Sequence, residues 1–220
     1  MDDKETGRLE AFSDGVFAIA ITLLVLELKL PTTQDLEQKG LVAYLLGQWP
    51  MFLAYITSFA TIGIMWVNHH RLFTHIKRAD HNLLLLNLLL LLIVTFIPFP
   101  TELLATFAQK PQWLEATLIY SSTNIVLAIC FNLLWRYAAY ENRLLGERID
   151  ERAVKKINRA YLFGPVLYAI AFVLAFLYIP LSLAMNALLA IFFALPGQEL
   201  RQRPSQDSDR EVTKTGTGTF

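Results

Sequence analysis

Residues 8–31 read RLEAFSDGVFAIAITLLVLELKLP, an apolar run whose first turns carry Arg8, Glu10, Ser13 and Asp14. A bilayer core of about 30 Å is crossed by roughly 20 apolar residues at about 1.5 Å each, so this stretch is long enough for a transmembrane helix. A carboxylate inside such a helix is costly unless another group binds it. The rest of the chain must therefore supply partners.

The composition agrees with membrane embedding. Of the 220 residues, 55% are hydrophobic and only 17% charged, and the mean hydropathy is +0.42. That is too apolar for a domain wetted on all sides. Lys+Arg (19) balance Asp+Glu (19), so charge gives no reason to expect a nucleic-acid partner, and none is expected. Membrane lipids are the expected surroundings. The one cysteine, Cys130, lies in an apolar run and reads as a small buried hydrophobe.

Outward from the first stretch, six apolar blocks follow at 9–30, 41–67, 83–104, 113–135, 161–179 and 181–195. The last two are separated by Pro180, whose fixed φ and missing N–H suit a tight turn. Basic residues fall on alternate sides of these blocks. Arg71, Lys77, Arg78, Arg136, Arg143, Arg148, Arg152 and Arg159 share a side with Lys4, Arg8 and the C-terminal Arg201, Arg203, Arg210 and Lys214, against Lys29, Lys39 and Lys110 opposite. Cations gather on the cytoplasmic side, so the expected fold is an all-α membrane protein of six transmembrane helices with both termini cytoplasmic. No secretory leader is expected, because the first block runs into LPTTQ without a small-residue cleavage site. Residues 1–196 read as one six-helix unit, and 197–220 as a polar, disordered cytoplasmic tail. The leucine-rich third block is expected to meet lipid over most of its circumference, with Asn87 as its single polar break.

At about 100° per residue, Arg8, Phe12, Gly15, Leu23, Leu26 and Leu30 lie within roughly 40° of Ile19, with Thr22 and Glu27 just off either side. By itself this stripe fits packing against lipid or protein as well as the lining of a conduit. Ser13 and Asp14 point away from it, toward neighbouring helices. The partners at matching depth are in MWVNHHRLFTH: Trp66, Asn68, His69 and His70, with Arg71. Such a cluster can serve as a hydrogen-bonded lock between helices or, since histidine titrates near neutrality, as a pH sensor. The spacing of His69, His70, His75 and His81 matches no standard zinc pattern, so no metal site is expected. GxxxxGK[ST], GxGxxG and GxSxG are absent, which disfavours an enzyme, and no cofactor is expected.

The R-x-x-x-F-S-D core at Arg8, Phe12, Ser13 and Asp14, followed by GVFAIAIT and then WVNHHRLF, resembles the bacterial relatives of the endosomal and lysosomal transmembrane potassium channel. The animal channels carry two six-helix units and this chain one, so the resemblance implies a homotetrameric potassium channel in the bacterial inner membrane. It also implies a pore lined by the first helix, with Ile19, Leu23 and Leu26 as the apolar constriction. Gly15, Thr22, Glu27 and Leu30 would line or flank it, while Arg8, Phe12, Ser13, Asp14, Trp66, Asn68, His69 and His70 form the helix-anchoring motif. The filter sequence TVGYG is absent, so selectivity would come from an apolar ring that can also close by dewetting. The rival reading is a proton-coupled transporter or proton channel using Asp14 and the histidines.

Overall fold

The computed structural model describes residues 3–146 and 151–194. The expected tail at 197–220, the end of the last block and part of the basic linker lie outside the described residues. Among those described, the regular structure is all helical, apart from one isolated bridge between Ile76 and Leu145.

The first helix, α1 (Asp3–Leu23), tightens into a 3₁₀ turn at Leu24–Glu27. Two short helices follow, α2 (Thr33–Lys39) and α3 (Leu41–Gly47), joined at Gly40, whose φ of 69° is natural only to a residue without a side chain. Next come α4 (Trp49–His75), α5 (His81–Phe96), α6 (Pro98–Thr106) and α7 (Trp113–Ala139). The hairpin of α8 (Glu151–Ala175) and α9 (Ile179–Ala194) completes the bundle.

Five stretches are long and apolar enough to cross a membrane: Thr6–Glu27, Trp49–His75, His81–Thr106, Trp113–Asn142 and Ile157–Ala175, with Ile179–Phe193 as a shorter sixth. Several boundaries differ from the sequence expectation. The first helix ends at Glu27, not Leu30, because the residue before Pro31 is pushed toward extended backbone. The second block is not one helix from residue 41. It breaks at Gly47–Gln48 and restarts at Trp49, where Pro50 fits a first turn whose N–H groups are unpaired anyway. That shift carries the helix on to His75, so His69 and His70 sit inside α4. The third block divides at Ile97, ahead of Pro98 and Pro100. Pro180 lies in the first turn of α9, and the tight turn comes just before it, at Phe176–Tyr178.

Helix α1 packs against α4 and α5, α5 against α7, and α7 against α8. Its inward side presents Leu9, Ser13, Phe17, Ala20 and Leu24, spaced three or four apart, to a core shared with Ile62, Leu83, Leu90 and Val94. In α5, Leu83, Leu90 and Leu91 are buried while Leu84, Leu85, Leu88 and Leu92 are exposed. The leucine run thus has a protein face as well as a lipid face. At one end of the bundle Asp80 caps α5 by accepting from the Leu83 amide (2.9 Å) and also binds the Tyr137 hydroxyl of α7 (2.6 Å).

The candidate pore helix and its polar anchor

On α1 the side chains of Glu10, Ser13 and Asp14 occupy one side of a single turn, and on α4 those of Trp66, His69 and His70 do the same. The two turns interlock. The Trp66 indole N–H donates to Asp14 Oδ1 at 2.8 Å, and His70 Nδ1 lies 2.8 Å from Glu10 Oε1. The Trp66 and His70 rings stack with centroids 6.2 Å apart.

Beneath them lies a fully buried chain. Ser13 Oγ donates to the Leu9 carbonyl (2.9 Å) and accepts from Asn87 Nδ2 (2.9 Å), and Asn87 Oδ1 meets His69 Nε2 at 2.8 Å. The amide nitrogen of Asn87 is committed to Ser13, so its oxygen must accept and His69 must carry its proton on Nε2. His69 Nδ1 has no partner among the described residues, and the imidazole ring packs against Phe17 and Phe73 with centroid separations of 5.4 and 4.3 Å. The Asn87 bond fixes the orientation of the imidazole and the ring nitrogen that carries the proton.

Five of the expected anchoring residues, Ser13, Asp14, Trp66, His69 and His70, meet in this knot. Three do not. Arg8 is exposed and makes no hydrogen bond or ion pair among the described residues. Phe12 is exposed on the same side as Arg8. Asn68 is buried on the far side of α4, facing α7 and α8, because it follows Trp66 by only two residues and so points away. Conversely, Glu10 and Asn87 belong to the anchor and were not assigned to it from sequence. A lone asparagine in the apolar run from Leu83 to Val94 was the available signal, since such a group has to be hydrogen-bonded.

The outward side of α1 is apolar and open. Ile19, Leu23 and Leu26 are 60%, 53% and 76% exposed, and Gly15 and Thr22 are exposed beside them. The Thr22 hydroxyl donates back to the Ala18 carbonyl (2.9 Å). Glu27 is half-buried, and Lys29 lies 3.8 Å from Glu102 of α6. Leu30 falls beyond the helix and is exposed. Among the described residues no three His, Cys, Asp or Glu side chains gather as metal ligands.

The fold and this geometry define a class: a multi-pass membrane protein whose first helix is pinned by a polar knot on one side and bare on the other. The profile of the family described as endosomal/lysosomal potassium channel TMEM175 matches residues 8–98. A protein from Chamaesiphon minutus named as a potassium channel is 52% identical over 88% of this chain and 96% of its own length. A crystal structure of a lysosomal potassium-selective channel TMEM175 homolog from Chamaesiphon minutus superposes with a TM-score of 0.77 at 50% identity, covering 87% of this chain and 97% of that one. The rat endosomal/lysosomal proton channel TMEM175 is 36% identical over 77% of this chain, which spans 35% of its length. The chain belongs to the TMEM175 family. It is a multi-pass bacterial membrane protein, and membership of a family of channels sets it apart from enzymes.

Proposed function

We propose that this protein is a potassium-selective cation channel in which four copies bring α1 to a common axis, with both termini in the cytoplasm. The carrying observation is the exposed apolar stripe of Ile19, Leu23 and Leu26, held on the side of α1 opposite its packed face. The relatives named as potassium channels support the same reading.

In this arrangement the anchor sets the rotation of α1 and the stripe does the selecting. An ion passing a ring of Ile19 side chains sheds water without receiving oxygen ligands in return. Sodium holds its water more tightly than potassium and loses more, so the ring favours potassium. The same ring shuts by dewetting. No cofactor enters the mechanism, and the only small partner is the transported ion.

The test is potassium and sodium flux in vesicles. Ile19→Asn and Leu23→Ala should raise conductance or weaken the preference for potassium; unchanged flux and selectivity in both would remove α1 from the pore.

A second reading, proton passage, draws on the name of the rat relative. A relay through Asp14 and the histidines is poorly served by the anchor, since Asp14 binds an indole N–H and the Asn87 amide stands between His69 and Ser13. Transport strictly coupled to a pH gradient, saturating with substrate, would favour a transporter over a channel.

A further inference from the structure

A hollow of about 370 Å³ opens on the outside of the bundle, where α5 and α8 flank α7. Its floor is α7 from Leu118 to Val126, and its sides are Ile93 and Phe96 of α5 and Phe172 of α8. The sequence of α7 makes that floor low. Of its four consecutive polar residues, Ser121 and Asn124 turn inward to Asn186 of α9, while the short Ser122 and Thr123 face the hollow. The Ser122 hydroxyl donates to the Leu118 carbonyl (2.7 Å) and the Thr123 hydroxyl to the Ile119 carbonyl (3.0 Å). Both protons are spent on the helix itself, and the other wall side chains are hydrocarbon. A space with no free donor stays dry.

Every wall residue belongs to a membrane-spanning stretch. Phe96 comes nine residues after Asn87, which places it about 180° around α5 and about 14 Å further along the helix. The hollow therefore opens away from the side on which α5 meets the anchor and α1. Left empty, its walls would forfeit dispersion contacts over their whole surface.

We propose that this hollow holds one acyl chain of a bilayer phospholipid. Depth, rotation and size select the occupant. The surroundings at this depth are hydrocarbon, and convergence of four copies through α1, the reading on which this step rests, turns the hollow toward lipid and not toward another copy. An apolar cavity of about 150 Å³ takes a six-carbon benzene, so about 370 Å³ takes a flexible chain of about fifteen carbons. Lipid and protein hydrocarbon are equally apolar, so the preference is one of packing: a chain in the hollow touches protein on three sides, and a chain on a smooth helix on one. The bound chain also lies against Phe96, whose ring packs on Phe99 of α6 at 5.3 Å. It braces the break between α5 and α6 together with the contacts of α7 and α8.

The test uses the full chain in phosphatidylcholine vesicles that contain a phosphatidylcholine with a photoactivatable diazirine on its acyl chain, with adducts mapped by peptide mass spectrometry. Leu92 and Val173 are exposed neighbours of the wall residues Ile93 and Phe172 and serve as controls at matching depth. Adducts on the floor between Leu118 and Val126 should exceed those on the controls about threefold or more, which corresponds to roughly 0.7 kcal/mol of preference. Ser122→Leu fills the hollow and should abolish the excess while both controls stay labelled; Thr123→Leu should do the same and serves if the first variant fails to fold. Ser122→Ala keeps the space and should keep the excess. A floor labelled no more than the controls would mean passing contact with bulk lipid, and a floor unlabelled beside labelled controls would mean that a neighbouring copy covers it. Either result, or an excess that survives both leucine variants, would overturn the proposal. No readout here depends on ion flux, so failure would leave the α1 pore standing, and a failed flux test would leave a labelled floor standing.

Discussion

Asn87 has only one arrangement open to it. Its nitrogen serves Ser13 and its oxygen serves His69, so replacing it leaves the buried His69 Nε2 without its partner and Ser13 Oγ with only its bond to the Leu9 carbonyl. Asn87→Leu should lower unfolding stability by about 1–3 kcal/mol, toward the low end because partners can be re-found within a membrane. Ser13→Ala removes one bond of the same chain and should cost less. Arg8→Ala should leave the melting temperature in detergent unchanged, since Arg8 stands outside the knot despite its place in the motif. Equal losses for Asn87→Leu and Arg8→Ala would mean that the knot does not hold α1.

Among elements, α2 is the most local in its stability. Its start is a capping box in which the Thr32 hydroxyl accepts from the Asp35 amide (3.2 Å), while Asp35 Oδ2 receives the Thr32 amide (2.9 Å) and hydroxyl (2.6 Å). The Thr32 side-chain and backbone bonds hold the Asp35 carboxyl below its ordinary value. A carboxyl depressed in the folded state contributes fully above its unfolded value, about 3.9, and loses that contribution as the pH falls through the folded one. Hydrogen-exchange protection of the α2 amides should accordingly be flat across neutral pH and fall below about pH 4. Thr32→Ala should lower protection at neutral pH and flatten that acid step. The longer helices depend on one another instead: α1 is set by α4 and α5, and α9, short for a crossing, is tied to α7 and α8 through Asn186 and Ser182.

For the whole molecule, the open question of assembly has a direct measurement. Native mass determination in detergent should give four chains of 25.0 kDa. In a Cys130→Ala background, Ile19→Cys should cross-link protomers on oxidation, because a disulfide forms only when Cα atoms come within about 7 Å. Leu85→Cys, on the exposed side of α5, should not. A monomer, or equal cross-linking at both positions, would contradict convergence of α1 on an axis.

Much of this was legible in the chain itself. Apolar run length gave the all-helical membrane fold, because the bilayer imposes a length on every crossing. The angle between Ile19 and Asp14 gave two opposed faces on α1, because 3.6 residues per turn are a property of the backbone. Where helices end was less legible: Gly47, Pro50 and Pro98 mark breaks whose positions depend on what the flanking turns pack against. Which polar groups meet was decided only in three dimensions. Asn68 sits between two anchor residues in sequence yet faces another helix, and Asn87 enters the anchor from 74 residues beyond Ser13. Local periodicity fixes the direction in which a side chain points. What it finds there depends on the packing of helices far apart along the chain, and that is a matter for the tertiary structure alone.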